Sequence, residues 1–341
     1  MIKKLKNKNL SIPNEPFLTM LLNEFGYNRL INGYKRPFIC KTQGNAEIFK
    51  SGTTIDDLYL LYTIDNSFRE IFLINVLPID SHIGTLLGNL IAKNYNVNDH
   101  DKNDPSNPDS TIPSYLSSKN YIDNGYARGT LKYIRHNILE KTKDNPTAYY
   151  RKNKNHVPPW ILVQNIPFGA LIKFYKIQKP CIKNEIISSI FPCDKSKDLG
   201  LEKQIFLSAA EILISFRNTA AHSSPIYLNS SKLDNNISKK TLMKYLGTGI
   251  LLDSDNINYL SHNKLYVALL SLILLASNIS RRKLMIHSLE RLDKSFKCSN
   301  DLNDRKIYSL YLEYAELPVD FINRLKDAST YLLDLEKRMQ T

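Results

Sequence analysis

The sequence predicts an all-α fold with a long polar insertion. Apolar residues recur at spacings of three and four over long stretches, no alternating strand series or βαβ rhythm appears, and no internal repeat imposes another architecture. With 341 residues the chain can form one large domain or two ordinary ones and bury a substantial core.

In chain order, residues 1–16 read as a basic flexible lead. Residues 17–297 read as the main helical domain, and 298–341 as a C-terminal helical extension. Phe17 to Phe25 has a short helical pattern. A segment from Gly26 to Phe38 follows, mixing Tyr27, Arg29, Tyr34, Lys35 and Arg36 ahead of Pro37. Tyrosine and arginine interleaved in this way can stack on bases and hold phosphates, or can pack the tyrosines inward on an amphipathic helix. Thr54 is placed to cap the next helix, with Asp56 and Asp57 at its positive end. Leu58, Leu61, Tyr62, Ile64, Phe68, Ile71 and Phe72 continue as a stripe, and Pro78 leaves either two helices or one that is kinked. Asp65, Asn66 and Arg69 share a polar face expected to be solvated.

Residues 95–119 are poor in apolar side chains and carry Pro105, Pro108 and Pro113, which reads as an insertion or long loop. Pro158-Pro159-Trp160 opens a helix, and Trp160, Leu162, Phe168, Leu171, Ile172, Phe174 and Tyr175 are expected in the core. Ile182 to Phe191 and Glu202 to Phe216 continue the helical series, and the strongest apolar stretch runs from Tyr259 to Phe296. Closing helices after Leu302 are broken by Pro318.

The formal charge of +13, from 46 Lys and Arg against 33 Asp and Glu, suits a polyanionic partner, with nucleic acid first. Its densest basic stretch holds Lys119, Arg128, Lys132, Arg135, Lys141, Lys143, Arg151, Lys152 and Lys154 against the acids Asp123, Glu140 and Asp144. With Arg29, Lys35, Arg36 and Arg69 these residues form the expected RNA track, the alternative being a solvated charged face. Cys40, Cys181, Cys193 and Cys298 lie too far apart for a CxxC pattern and imply no disulfide framework, which fits a reducing cytoplasm. No clustered metal-ligand set, cofactor motif or signal-peptide core is evident. Leu265 to Ile279 is too short to span a bilayer comfortably, so no membrane association is expected.

Chemistry concentrates at Arg217-Asn218-Thr219-Ala220-Ala221-His222, at the end of an amphipathic helix and shortly before Pro225. Cleaving RNA without a metal requires the 2′-hydroxyl deprotonated, the 5′-oxygen protonated and the phosphorane charge stabilised. Histidine exchanges protons near neutral pH, arginine holds two phosphate oxygens, and an amide can orient either partner. The same residues would equally serve a polar helix end. Spacing alone does not choose, because Arg151 with His156, and Arg281 or Arg282 with His287, repeat it. On an ideal helix Arg217 and His222 lie about 140° apart, whereas Asn218 and His222 share a face. The pair therefore converges only if the helix ends near Ala220, if Arg217 curls round, or if a second subunit completes the site.

These six residues resemble the R-N-x-x-A-H signature of HEPN ribonucleases, in the form carried by the Abi family of bacterial abortive-infection proteins (AbiD/AbiF-like). Tyr27 to Tyr34 with Pro37-Phe38 resembles that family's Y-Y-R-L-x-G-Y…P-F start, and Phe49 to Tyr59 through Asp65 and Arg69 its F-x-x-G-T…D…R block. Pro158-Pro159-Trp160 and Phe168-Gly169-Ala170-Leu171 resemble its P-x-W…F-G-x-L block, and Asn263 to Val267 its segment after the histidine. The chain departs from the pattern where a second histidine, then Ser-Arg, would follow; here His222 precedes Ser223-Ser224-Pro225.

The resemblance implies a HEPN-like helical bundle with additional helices. It further implies a cytoplasmic, metal- and cofactor-independent endoribonuclease of phage defence or toxin–antitoxin control, leaving 2′,3′-cyclic phosphate ends. Arg217, Asn218 and His222 would be catalytic, in a homodimer, with a small structured RNA as a regulatory partner. Two other readings remain: a non-catalytic module that binds or sequesters RNA, and a basic DNA-binding regulator, for which no helix-turn-helix signature stands out.

Overall fold

A computed structural model describes residues 2–41, 47–100, 114–154, 156–193, 198–230, 239–246 and 264–339. Among these the architecture is all-α, and the strands Ile39–Lys41 and Glu47–Phe49 pair as one short antiparallel hairpin with Ile39 opposite Phe49. The contacts divide the chain into two compact units.

The first unit comprises Met1–Asn75, Ser215–Ile273 and Asn278–Thr330. Its basic N-terminus is folded, not a free lead. The short helix α1 (Ile2–Lys6) buries Leu5, and Leu10 and Ile12 are buried behind it. The Ser11 amide donates to the Thr53 carbonyl at 2.9 Å, and the Ile55 amide to the Ser11 carbonyl at 3.0 Å. Helix α2 (Glu15–Phe25) starts on Asn14, whose side chain accepts from the Phe17 amide, and ends at Gly26, whose φ of 75° a side chain would strain. A π-helical turn, Asn28–Asn32, buries Leu30 and Ile31 and leaves Asn28, Arg29 and Asn32 exposed.

Helix α3 (Ile55–Tyr95) begins on a capping box: the Asp57 amide donates to Thr54 Oγ1 and the Thr54 amide to Asp57 Oδ2. It runs unbroken through Pro78. The missing N–H leaves the Ile74 carbonyl without its helical donor, and Ile74 is 70% exposed, so water can replace it. By length and composition alone α3 could cross a membrane. In this fold Leu58, Leu61, Ile64, Phe68 and Phe72 are buried on one stripe.

The second unit comprises Val76–Ile214, Leu274–Ser277 and Tyr331–Thr341. It receives the far half of α3, whose Ile79, Ile83, Leu87 and Ile91 continue the buried stripe. It also holds α4 (Gly125–Tyr133), α5 (Thr147–Asn153), α6 (Pro159–Leu162), α7 (Phe168–Lys176) and α8 (Pro180–Ile190). A Cβ on Gly88 would come within 3.0 Å of the Trp160 backbone and Val163, so α3 meets α6 at van der Waals distance only because that position is glycine. Trp160, expected in the core, is instead 41% exposed, because α6 turns Pro159, Ile161 and Leu162 inward. Residues 101–113 of the expected insertion lie outside the described residues. The insertion's C-terminal flank is anchored: Tyr115 and Tyr121 are buried, and the Tyr115 hydroxyl donates to the Val157 carbonyl at 2.9 Å.

Helix α9 (Gly200–Ala221) carries the motif at its end, followed by α10 (Lys239–Leu246). The stretch expected as one helix from Tyr259 to Phe296 is two, α11 (Leu265–Leu275) and α12 (Ile279–Lys297), with residues 259–263 outside the described set. Asn278 separates them by capping α12, its side chain accepting from the Arg281 amide at 3.0 Å. As expected, α13 (Leu302–Tyr314) and α14 (Phe321–Arg338) flank Pro318.

Candidate functional site: the end of the motif helix

The last turns of α9 point one face inward and another out. Phe216 and Ala220 are buried, and the Phe216 ring packs on Phe72 with centroids 5.9 Å apart. Asn218 and His222 are exposed on the opposite side, and Arg217 is half-buried between. The helix does not break at Ala220. It continues to His222, whose amide still donates to the Asn218 carbonyl. It closes as a Schellman turn: the Ser224 amide bonds the Thr219 carbonyl at 3.1 Å and the Ser223 amide bonds the Ala220 carbonyl at 3.0 Å. Ser223 occupies the left-handed position at φ 54°, where glycine is usual. Arg217 donates to Asn218 Oδ1 at 3.2 Å, and among the described residues no hydrogen bond or ion pair joins it to His222.

His222 instead lines a cleft of about 580 Å³ with Ser223, Ser224 and Pro225 on one wall and Phe25, Gly26, Asn28, Arg29, Asn32 and Gly33 on the other. No acidic side chain is among these residues. The walls meet where a Cβ on Gly33 would lie 3.1 Å from Pro225 Cγ, and the Tyr227 hydroxyl donates to the Gly33 carbonyl at 3.2 Å.

Behind the cleft sits Asp65, fully buried on α3. Its Oδ2 accepts from the Tyr34 hydroxyl at 2.7 Å and the Ile226 amide at 3.1 Å. Its Oδ1 accepts from the Tyr227 amide at 3.0 Å and the Tyr311 hydroxyl at 3.1 Å. One carboxylate thus ties Tyr34, which follows the Arg29 turn, to residues 226–227, which follow His222. Burial raises this carboxyl and the Tyr34 hydrogen bond, the Arg69 charge and the two amides offset part of the rise, leaving it at about 6. Burial, then the Asp65 charge, raise the Tyr34 and Tyr311 hydroxyls well above their ordinary range, so both stay protonated donors. Tyr34 stacks on Tyr227, and Tyr227 packs against Tyr311.

This network corrects the solvated face expected for Asp65, Asn66 and Arg69. Arg69 is only 3% exposed: its Nε lies 3.8 Å from Asp65 Oδ2, it donates to Asn66 Oδ1 at 2.7 Å, and it sits 5.4 Å from the Tyr62 ring centre. Neither Arg69 nor the fully buried Tyr34 is accessible to RNA. Of the two readings of the Gly26–Phe38 segment, Tyr34 takes the packed one.

Other expected contacts are scattered. Tyr27 is half-buried and lines a separate cleft of about 890 Å³ with Lys3, Lys6 and Asn23. Lys35 pairs with Glu47 at 2.5 Å, and Arg36 is exposed. In the second unit Arg128 pairs with Asp123 at 2.8 Å, and Arg135 donates to Ser114 Oγ at 3.4 Å. Arg151, rather than projecting freely, donates to the Leu139 and Thr142 carbonyls at 2.6 and 2.8 Å and so closes the π-helical stretch Ile134–Glu140. Lys132, Lys152 and Lys154 are exposed. Tyr126 and Tyr133, not singled out from the sequence, flank a cleft of about 500 Å³ with Gly129 and Lys173; their seven-residue spacing on α4 was the available signal. Among the described residues no group of three or more His, Cys, Asp or Glu is placed to hold a metal ion.

A family model described as Abi-like protein matches residues 20–228, more than half of the chain. The chain belongs to the Abi-like family. The matched region contains α2 from Met20 onward, the Arg29 turn, Asp65 and the whole of Arg217 to Tyr227, so both walls of the cleft fall inside it. Family membership associates this Abi-like chain in general terms with abortive infection, a form of phage defence. No curated protein and no solved structure matches it.

Proposed function

We propose that this Abi-like protein is a HEPN-type endoribonuclease that cleaves RNA without a metal ion, acting in the cytoplasm in phage defence or as the toxin of a toxin–antitoxin pair. One observation carries the reading: the R-N-x-x-A-H residues end α9 with Asn218 and His222 exposed on one face, and His222 opens into a cleft free of acidic side chains. The imidazole of His222 takes the 2′-hydroxyl proton as the 2′-oxygen–phosphorus bond forms. The phosphorus–5′-oxygen bond then breaks, and the proton passes from the imidazolium to the 5′-oxygen. The products are a 2′,3′-cyclic phosphate and a 5′-hydroxyl. Asn218 orients the imidazole or a phosphate oxygen, and Arg217 stabilises phosphorane charge, reaching the reaction from a second subunit of a homodimer.

His222→Ala should slow cutting by about 10²–10⁴-fold and Arg217→Ala by about 10²–10³-fold, with RNA binding nearly unchanged. Cutting should persist in EDTA. Equal rates in wild type and His222→Ala would end the assignment.

The separation of Arg217 from His222 within one chain favours a second reading, a non-catalytic module that binds RNA and is held by a small structured RNA. It requires salt-sensitive binding without products, and growth arrest that His222→Ala leaves intact.

A further inference from the structure

We infer that Arg29 holds the reacting phosphodiester beside His222, so that the phosphate clamp and the base come from one chain while Arg217 comes from the second subunit. The inference rests on the ribonuclease reading above and deepens it.

Arg217, the cation nearest to His222 in the sequence, is turned from it by the helix that joins them, because α9 keeps its regular turn up to His222. Arg29 comes from 193 residues away (222 − 29) and lines the same cleft as His222. Leu30 and Ile31, buried beside it, fix the turn that turns Arg29 outward. Arg29 is exposed and makes no ion pair among the described residues, so its guanidinium is not already neutralised. The other polar groups lining the cleft are neutral: the amides of Asn28 and Asn32 and the hydroxyls of Ser223 and Ser224. One cation, one imidazole and neutral hydrogen-bonding groups, with no carboxylate among them, suit a phosphodiester monoanion of single-stranded RNA.

The two walls are also held in register. Asp65 bonds to both through Tyr34 and the amides of Ile226 and Tyr227, and Gly33 packs so closely on Pro225 that a Cβ there would lie only 3.1 Å from the proline ring. In this arrangement the guanidinium holds two phosphate oxygens while the 2′-hydroxyl meets the imidazole.

The test compares Arg29→Ala, Arg29→Lys, Arg217→Ala and His222→Ala in the full chain on a single-stranded RNA. Arg29→Ala should lower kcat about 10²–10³-fold, as loss of a charge-stabilising donor does, with an unchanged melting temperature, and Arg29→Lys should recover part of the loss. An unchanged kcat in Arg29→Ala overturns the assignment.

Co-expression of Arg29→Ala with His222→Ala chains separates one-chain from shared sites. No recovery supports the one-chain site, whereas recovery to a substantial share of wild-type activity places the two residues on different subunits and overturns it. If wild type cuts no RNA, the ribonuclease reading fails, but Arg29 remains testable by NMR titration of His222 with uridine 3′-monophosphate. The nucleotide should raise the imidazole pKa in wild type and Arg217→Ala but not in Arg29→Ala. An equal rise in Arg29→Ala, or none in wild type, overturns the inference.

Discussion

Asp65 shows how much one side chain can decide and how little its sequence neighbourhood says about it. Each of its oxygens accepts one backbone amide and one tyrosine hydroxyl. An asparagine therefore presents its NH₂ to a backbone amide in either orientation, and that amide, unlike a hydroxyl, cannot turn to accept. Asp65→Asn is expected to cost about 1–3 kcal/mol, measured by chemical denaturation at pH 7. The pH dependence has a definite sign. The folded carboxyl sits at about 6 against an ordinary 3.8, so between those values the folded state binds more protons than the unfolded. The proton-linked part of the stability contributed by Asp65 is full below 3.8 and is lost as pH rises through about 6, while the hydrogen-bond part remains at pH 7. The wild-type minus Asp65→Asn stability difference should therefore fall across that window; a flat difference would remove the group as the cause. In the sequence, Asp65 and Arg69 resembled any solvated i, i+4 pair. Their burial depends on Tyr34, residues 226–227 and Tyr311, which no local pattern connects to them. Trp160 was misread for the opposite reason: its bulk suggested a core position, but its place on a single-turn helix faces outward.

At the scale of elements the sequence was far more legible. The stripe of α3, the Thr54 cap, the motif helix and the break at Pro318 follow from period and capping chemistry, which act over a few residues. The break at Asn278 was hidden because α11 is apolar on every side and so has no phase to lose. The N-terminal lead was misjudged because its lysines outweighed Leu5, Leu10 and Ile12, which bury it. The end of α9 offers a direct check. Ser223→Gly should raise stability by about 1 kcal/mol by relieving the left-handed conformation, and Ser223→Val should lower it by at least as much. Urea midpoints with an unchanged m-value would measure both.

For the whole molecule, the charge of +13 remains the main argument for a polyanionic partner, but the structure redistributes it. Arg128, Arg135 and Arg151 donate to protein acceptors, leaving Lys119, Lys132, Lys141, Lys143, Lys152 and Lys154 of the basic stretch exposed in the second unit. Replacing Lys152 and Lys154 together by alanine should weaken single-stranded RNA binding and flatten the slope of log K against log salt by about 1.4, or 0.7 for each lost phosphate contact. An unchanged slope would remove α5 and its following loop from the RNA track.

The four-donor clamp on Asp65 also bears on when the protein becomes competent during synthesis. Its donors come from residues 34, 226, 227 and 311, so the ribosome must deliver the chain past Tyr311 before the last of them is in place. A nascent chain halted between Tyr227 and Tyr311 would have both walls of the cleft but a buried carboxylate one donor short. Limited proteolysis of ribosome-stalled chains should therefore find residues 222–227 open to cleavage until α13 has emerged. In a protein whose proposed target is RNA, that order would keep an unfinished copy from acting on the message and ribosome still producing it.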